Sequence, residues 1–187
     1  MGPTAESSKG SGARVVGAVY LFYFLTAISG QLLLSRHLAV IGEAINLVSF
    51  AAYVAVSLLF YGLFKPVNRT LSLLAAALSL LGCAAGVMNE FHLAPFHPNP
   101  LWFFAPYCML LGWLVLRSTF LPRVIGAILM LAGVAWLAYL SPAVVKAFAH
   151  WIQAVGILSE GSLMLWLLVM GVDERRWRER AGVSQAA

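Results

Sequence analysis

Long apolar runs separated by short basic or proline-bearing links constrain this chain more than any other feature. The runs fall at 15–34, 39–64, 72–92, 101–116, 124–140 and 147–170. A helix of about twenty apolar residues crosses a hydrocarbon layer of ~30 Å. Inside that layer the backbone must satisfy its own hydrogen bonds, which leaves helices as the spanning element. With 61% hydrophobic and 10% charged residues, a soluble domain is excluded. The expected fold class is all-α, an integral membrane bundle of six transmembrane helices.

The basic residues orient the bundle. Lys9, Arg14, Lys65, Arg69, Arg117, Arg123, Arg175, Arg176, Arg178 and Arg180 fall at the termini and in alternate links, ten of the twelve Lys and Arg. Only Arg36 and Lys146 fall on the other side. Positive charge is retained in the cytoplasm, so both termini are expected there. The same placement accounts for the formal charge of +5 without a nucleic-acid partner. Residues 1–13 read as a disordered tail, 14–172 as the transmembrane domain and 173–187 as a basic cytoplasmic tail. A signal peptide cleaved near Ala27-Ile28-Ser29 is the rival reading of the first run, but a typical signal core is shorter. The sequon Asn68-Arg69-Thr70 lies on the cytoplasmic side and is expected to be silent.

Within the runs, polar residues recur at helical spacing. Ser72, Ala76, Ser79, Cys83, Gly86 and Glu90 share one face of the third run, where Gly82 and Gly86 form a small-xxx-small pair that admits a neighbouring backbone. In the second run Glu43, Asn46, Phe50, Tyr53 and Ser57 form a comparable stripe. The sixth run carries Glu160, about 16 Å from its outer end, with Gln153 and Gly156 near the same face. A carboxylate at that depth costs a few kcal/mol unless it faces the bundle and finds a partner. Its bland reading is a hydrogen-bonded brace between helices. Tyr20 and Tyr23 of the first run point to the same region or anchor at the interface. The two cysteines, Cys83 and Cys108, read as packing residues.

These faces converge on an outward-opening polar pocket. Glu160 and Glu90 are its candidate acid/base or catalytic groups, and Glu43, Asn46, Tyr53, Asn89 and Gln153 its candidate ligand-binding groups. Carboxylates drawn away from water suit proton transfer. Such a pocket fits a small lipophilic or amphipathic molecule, and its enzyme version is an isomerase- or cyclase-type proton transfer on an isoprenoid-like substrate. A proton-coupled transporter and a non-catalytic accessory or assembly protein are the alternatives. No cofactor is called for: the chain lacks the P-loop, dinucleotide, HExxH and GxSxG patterns. Glu90, His92 and His97 supply metal-type ligands but lack metal-site spacing, so no metal is assigned. Membrane lipid is the expected surrounding partner, and the oligomeric state is open.

Several short motifs occur together in order: Lys65-Pro66-Val67-Asn68-Arg69, Asn89-Glu90, Leu121-Pro122-Arg123 with Arg117 before it, and Glu160 followed by Leu165-Trp166-Leu167. In these the chain resembles the bacterial multi-pass membrane proteins grouped as domain-of-unknown-function family 4386. The resemblance covers nearly everything after residue 14 and implies about six spans in a bacterial cytoplasmic membrane. It brings no activity, and it singles out Asn89, Glu90 and Glu160 as its polar positions.

Overall fold

The computed structural model describes residues 11–93 and 95–185. Seven α-helices account for most of it: α1 Ser11–Ser35, α2 Ala39–Phe64, α3 Arg69–Glu90, α4 Leu101–Arg117, α5 Arg123–Leu137, α6 Pro142–Val169 and α7 Glu174–Gln185. No strand occurs among the described residues. Short links force successive helices to lie side by side. Each of the first six packs on the next, and α6 returns to α1, so the helices form a ring in chain order.

Five helices are long and apolar enough to cross a membrane. α4, with 17 residues, is the shorter apolar one, since α5 continues through a 3-10 turn at Ala138–Leu140 to make a span of 18 residues. At 1.5 Å per residue it covers about 26 Å, yet it is deeply buried: Ala105, Tyr107, Cys108, Leu111, Leu114 and Val115 are all at most 1% exposed. Leu25, Leu58, Leu73, Leu131 and Leu158 stand exposed around the outside. Apolar side chains on both the inside and the outside belong to a bundle whose solvent is lipid, and the chain is a membrane protein with transmembrane helices.

The inward faces of α2 and α3 are the stripes read from the sequence. Asn46, Tyr53 and Ser57 are buried, as are Ser72, Ala76, Ser79, Cys83 and Gly86. What meets Gly82 and Gly86 differs from expectation. The ring of Phe104 lies over Gly82 and that of Phe50 over Gly86, so aromatic side chains fill the space intended for a backbone. Backbone approaches closely elsewhere: Gly112 of α4 and Gly126 of α5 face each other, and Gly17 of α1 lies on the Leu167–Leu168 backbone of α6. Small residues let these pairs of helices gain dispersion contacts that lipid cannot replace.

Helix ends explain several of the motifs. Asn68 caps α3, its Oδ1 accepting from the Leu71 amide at 2.9 Å. α1 ends with the Leu38 amide donating to the Leu33 carbonyl at 3.0 Å while His37 sits at φ +62°. α3 ends in the same way through Leu93, Met88 and His92, the last at φ +48°. This left-handed cap favours glycine. Replacing His37 by glycine is expected to raise stability by about 0.5–1 kcal/mol, read as a higher thermal midpoint of the detergent-solubilised protein.

The termini differ from the sequence reading. α1 opens at Ser11, inside the stretch 1–13 expected to be a tail, and the rest of that expectation lies outside the described residues. Within the basic tail expected at 173–187, Glu174–Gln185 forms the helix α7. Asp173 starts it by accepting from the Arg176 amide at 3.2 Å, and the Arg178–Glu174 pair at 2.7 Å lies along it. Trp177 fixes it to the bundle by donating to the Leu63 carbonyl at 2.9 Å, and the Arg176 guanidinium reaches the Thr119 carbonyl at 3.0 Å. α7 therefore bridges the end of α2 and the α4–α5 link.

Candidate functional site

Glu160 of α6 is held from three other helices. Tyr20 of α1, wholly buried, donates to its Oε2 at 2.6 Å. Tyr53 of α2 donates to the same oxygen at 3.4 Å, the long limit of a hydrogen bond. The Cys108 thiol of α4 lies 3.9 Å from Oε1, a weak contact. All three neighbours are donors and the carboxylate is the acceptor, so the partners that a half-buried carboxyl group requires come from α1, α2 and α4.

Beside this group lies a cavity of about 400 Å³, within the range of small-molecule sites. Glu160, Gly156 and Ile157 of α6 form one wall, and Tyr53 of α2 with Tyr23 and Phe24 of α1 form another. Phe104 and Leu101 of α4, the preceding Asn99 and Pro100, and Trp136 of α5 complete it. Gly156 is there for space, since the Trp136 ring occupies the position its side chain would take. The Asn99 side chain accepts from the Leu101 amide at 3.0 Å and so starts α4 at the cavity edge.

Of the seven residues expected to converge, Glu160 and Tyr53 line the cavity; Glu43, Asn46, Asn89, Glu90 and Gln153 are not among its lining residues. Asn46 and Glu90 meet each other instead, the amide donating to Glu90 Oε1 at 2.8 Å. Two further contacts continue that line: the Ser57 and Ser79 hydroxyls lie 2.6 Å apart, and Ser72 donates to the Tyr61 carbonyl at 3.1 Å. The two stripes thus bond to one another and join α2 to α3 along their length. Asn89 donates to the Pro98 carbonyl at 2.8 Å, tying the α3–α4 loop to α3. Gln153 is exposed and donates to the Tyr139 hydroxyl at 3.3 Å, while Glu43 is half-buried. The His92 and His97 rings lie 5.9 Å apart in the α3–α4 loop. Among the described residues no group of three or more His, Cys, Asp or Glu is placed to hold a metal.

Replacing Asn46 by alanine leaves Glu90 without its amide donor. The expected cost is about 1–3 kcal/mol, measured as a lower thermal midpoint, with occupancy of the Glu160 cavity changed less than twofold.

The family described as domain of unknown function (DUF4386) matches residues 33–98 and 99–171. The chain belongs to this family. The matched residues include the Asn46–Glu90 pair and, within the site, Tyr53, Cys108, Trp136 and Glu160. Tyr20, Tyr23 and Phe24 of α1 lie before the match, so one hydrogen-bond donor to Glu160 and part of one cavity wall come from outside it. No curated protein and no solved structure matches the chain.

The sequence reading missed Phe104 and Trp136 and gave Cys108 only a packing role. None of the three carries a periodic polar signal. Aromatic residues in an apolar helix look alike whether they fill a core or wall a cavity.

Proposed function

We propose that this is a six-span protein of a bacterial cytoplasmic membrane, with both termini inside, that holds a small lipophilic or amphipathic molecule in the cavity beside Glu160. The observation that carries this reading is one carboxylate, braced by Tyr20 and Tyr53, at the wall of a roughly 400 Å³ cavity otherwise dominated by rings and aliphatic groups. That combination gives a ligand apolar contact area and one fixed polar anchor. The ten-to-two distribution of basic residues supports the orientation. In that orientation α4 also spans, bringing the five long helices to six, and Glu160 of α6 lies within the membrane.

Glu160 is the hydrogen-bonding and acid/base group of the site, and Tyr53 orients its carboxyl. Asn46 and Glu90 brace α2 against α3, and Asn89 holds the outer loop. As an enzyme, the site would move a proton between Glu160 and its ligand, as in isomerisation or cyclisation of an isoprenoid-like substrate. Transport would require a polar path to the cytoplasmic side. The hydroxyls available there, Ser57, Ser79 and Ser72, are bonded to one another or to backbone.

Native mass spectrometry of protein taken directly from its membrane tests the proposal. The wild type is expected to carry a small molecule that Glu160→Gln, equally folded by circular dichroism, retains at less than a tenth of the occupancy. Equal occupancy in both, or none in the wild type, would contradict it.

A further inference from the structure

The cavity has a charge preference written into its walls. The Tyr23 and Tyr53 ring centroids are 4.5 Å apart, and Phe104 meets Tyr53 edge-on at 5.3 Å. Trp136 adds a fourth ring from α5. Aromatic faces carry partial negative charge and attract cations, Trp most strongly. The one ionisable acid in the wall is Glu160, and none of the lining residues among those described is Lys, Arg or His.

The bonding of Glu160 adds a direction. Both tyrosine hydroxyls donate to Oε2, whereas Oε1 has only the distant Cys108 thiol. A carboxylate accepts about four hydrogen bonds, so Oε1 has capacity left for a ligand. A phosphate or carboxylate headgroup would find no cationic partner here and would face Glu160 itself. A hydroxyl could bond Oε1 but would make no use of the rings as charge acceptors. An ammonium centre engages both through its charge, with or without an N–H: the carboxylate as a counter-ion and the ring faces by cation–π attraction.

We propose that the cavity selects a lipophilic organic cation, an alkyl- or arylalkylammonium, whose charged centre lies against Glu160 and the rings of Tyr53, Phe104 and Trp136. This rests on the ligand-holding reading above and narrows it to one ligand class. The apolar remainder of the cation occupies the side formed by Phe24, Leu101 and Ile157. Ile157 is 56% exposed on the outer surface of α6, so the apolar end lies towards the lipid.

The test uses three probes of similar shape on purified protein in neutral detergent, with binding read by isothermal titration calorimetry. Benzyltrimethylammonium carries the charge, neopentylbenzene is its uncharged isostere, and benzylphosphonate is the anion. The cation is expected to bind at least tenfold more tightly than the isostere, and the anion not at all. Glu160→Gln should bring the cation and the isostere to within about twofold of each other. Trp136→Leu, which leaves the carboxylate in place, should weaken the cation severalfold and the isostere less. Equal binding of the cation and the isostere by the wild type overturns the charge preference and leaves the ligand site standing. A preference that survives both variants also overturns it. If neither the cation nor the isostere binds, the cavity is not a ligand site and both readings fall.

Discussion

Replacing Glu160 by alanine is expected to weaken ligand binding by about 10–100-fold, the worth of a hydrogen bond to a charged group. It should also destabilise the empty protein by about 1–3 kcal/mol, because the Tyr20 hydroxyl, 0% exposed, loses its acceptor. The two effects separate in a double-mutant cycle. Tyr20→Phe alone removes the donor and lowers the thermal midpoint while leaving most of the affinity. In the Tyr20→Phe, Glu160→Ala pair the stability losses should be less than additive, because the orphaned hydroxyl is gone. Full additivity would mean that the 2.6 Å contact does not hold α1 to α6.

A larger structural effect is expected at the α4–α5 seam. A side chain at Gly126 would come within 2.7 Å of the Gly112 carbonyl oxygen, and one at Gly112 within 2.7 Å of the Gly126 carbonyl oxygen. The Met130 and Leu116 side chains could move aside, but the carbonyl oxygens and the Met130 and Leu116 backbone nitrogens that also lie there cannot. Gly126→Leu should therefore cost about 3 kcal/mol or more and prevent recovery of monodisperse protein. Gly161→Ala is the matched control: nothing lies within 4 Å of its added carbon, although it is the residue next to Glu160. That substitution is expected to be neutral or to stabilise α6 by about 0.5–1 kcal/mol. Loss of the folded protein in both variants would show that glycine substitution in general, and not this seam, is the cause.

The apolar helices α1–α6 and their inward faces were readable because helical spacing sorts polar from apolar residues before any contact is known. α2 and α3 illustrate both the reach of that rule and its end. Spacing placed Asn46, Ser57, Ser79 and Glu90 on inner faces, and they are there or at the ends of those faces. It does not say which inner groups meet. Asn46 and Glu90 satisfy each other at 2.8 Å, so of the polar groups assigned to one pocket this pair forms a helix seam while Tyr53 and Glu160 line the cavity. Gly82 and Gly86 repeat the lesson with space instead of charge. A small residue announces room for a neighbour, and Phe104 and Phe50 took it where a backbone was expected. α7 was hidden because its composition is that of a solvated tail. Its place in the fold depends on Trp177 reaching a carbonyl 114 residues earlier in the chain, which no local pattern records. The family match reaches the same limit, since its description supplies no activity.

The most direct test is to photolyse a benzylammonium carrying a diazirine in the presence of the folded protein and to map its adducts by peptide sequencing. Adducts confined to the cavity walls, including the segments 99–104 and 156–160 and displaced by excess unlabelled benzyltrimethylammonium, are the expected result. Adducts spread over outward leucines such as Leu73 and Leu131, with none in those two segments, would contradict the assignment of the Glu160 cavity as the ligand site.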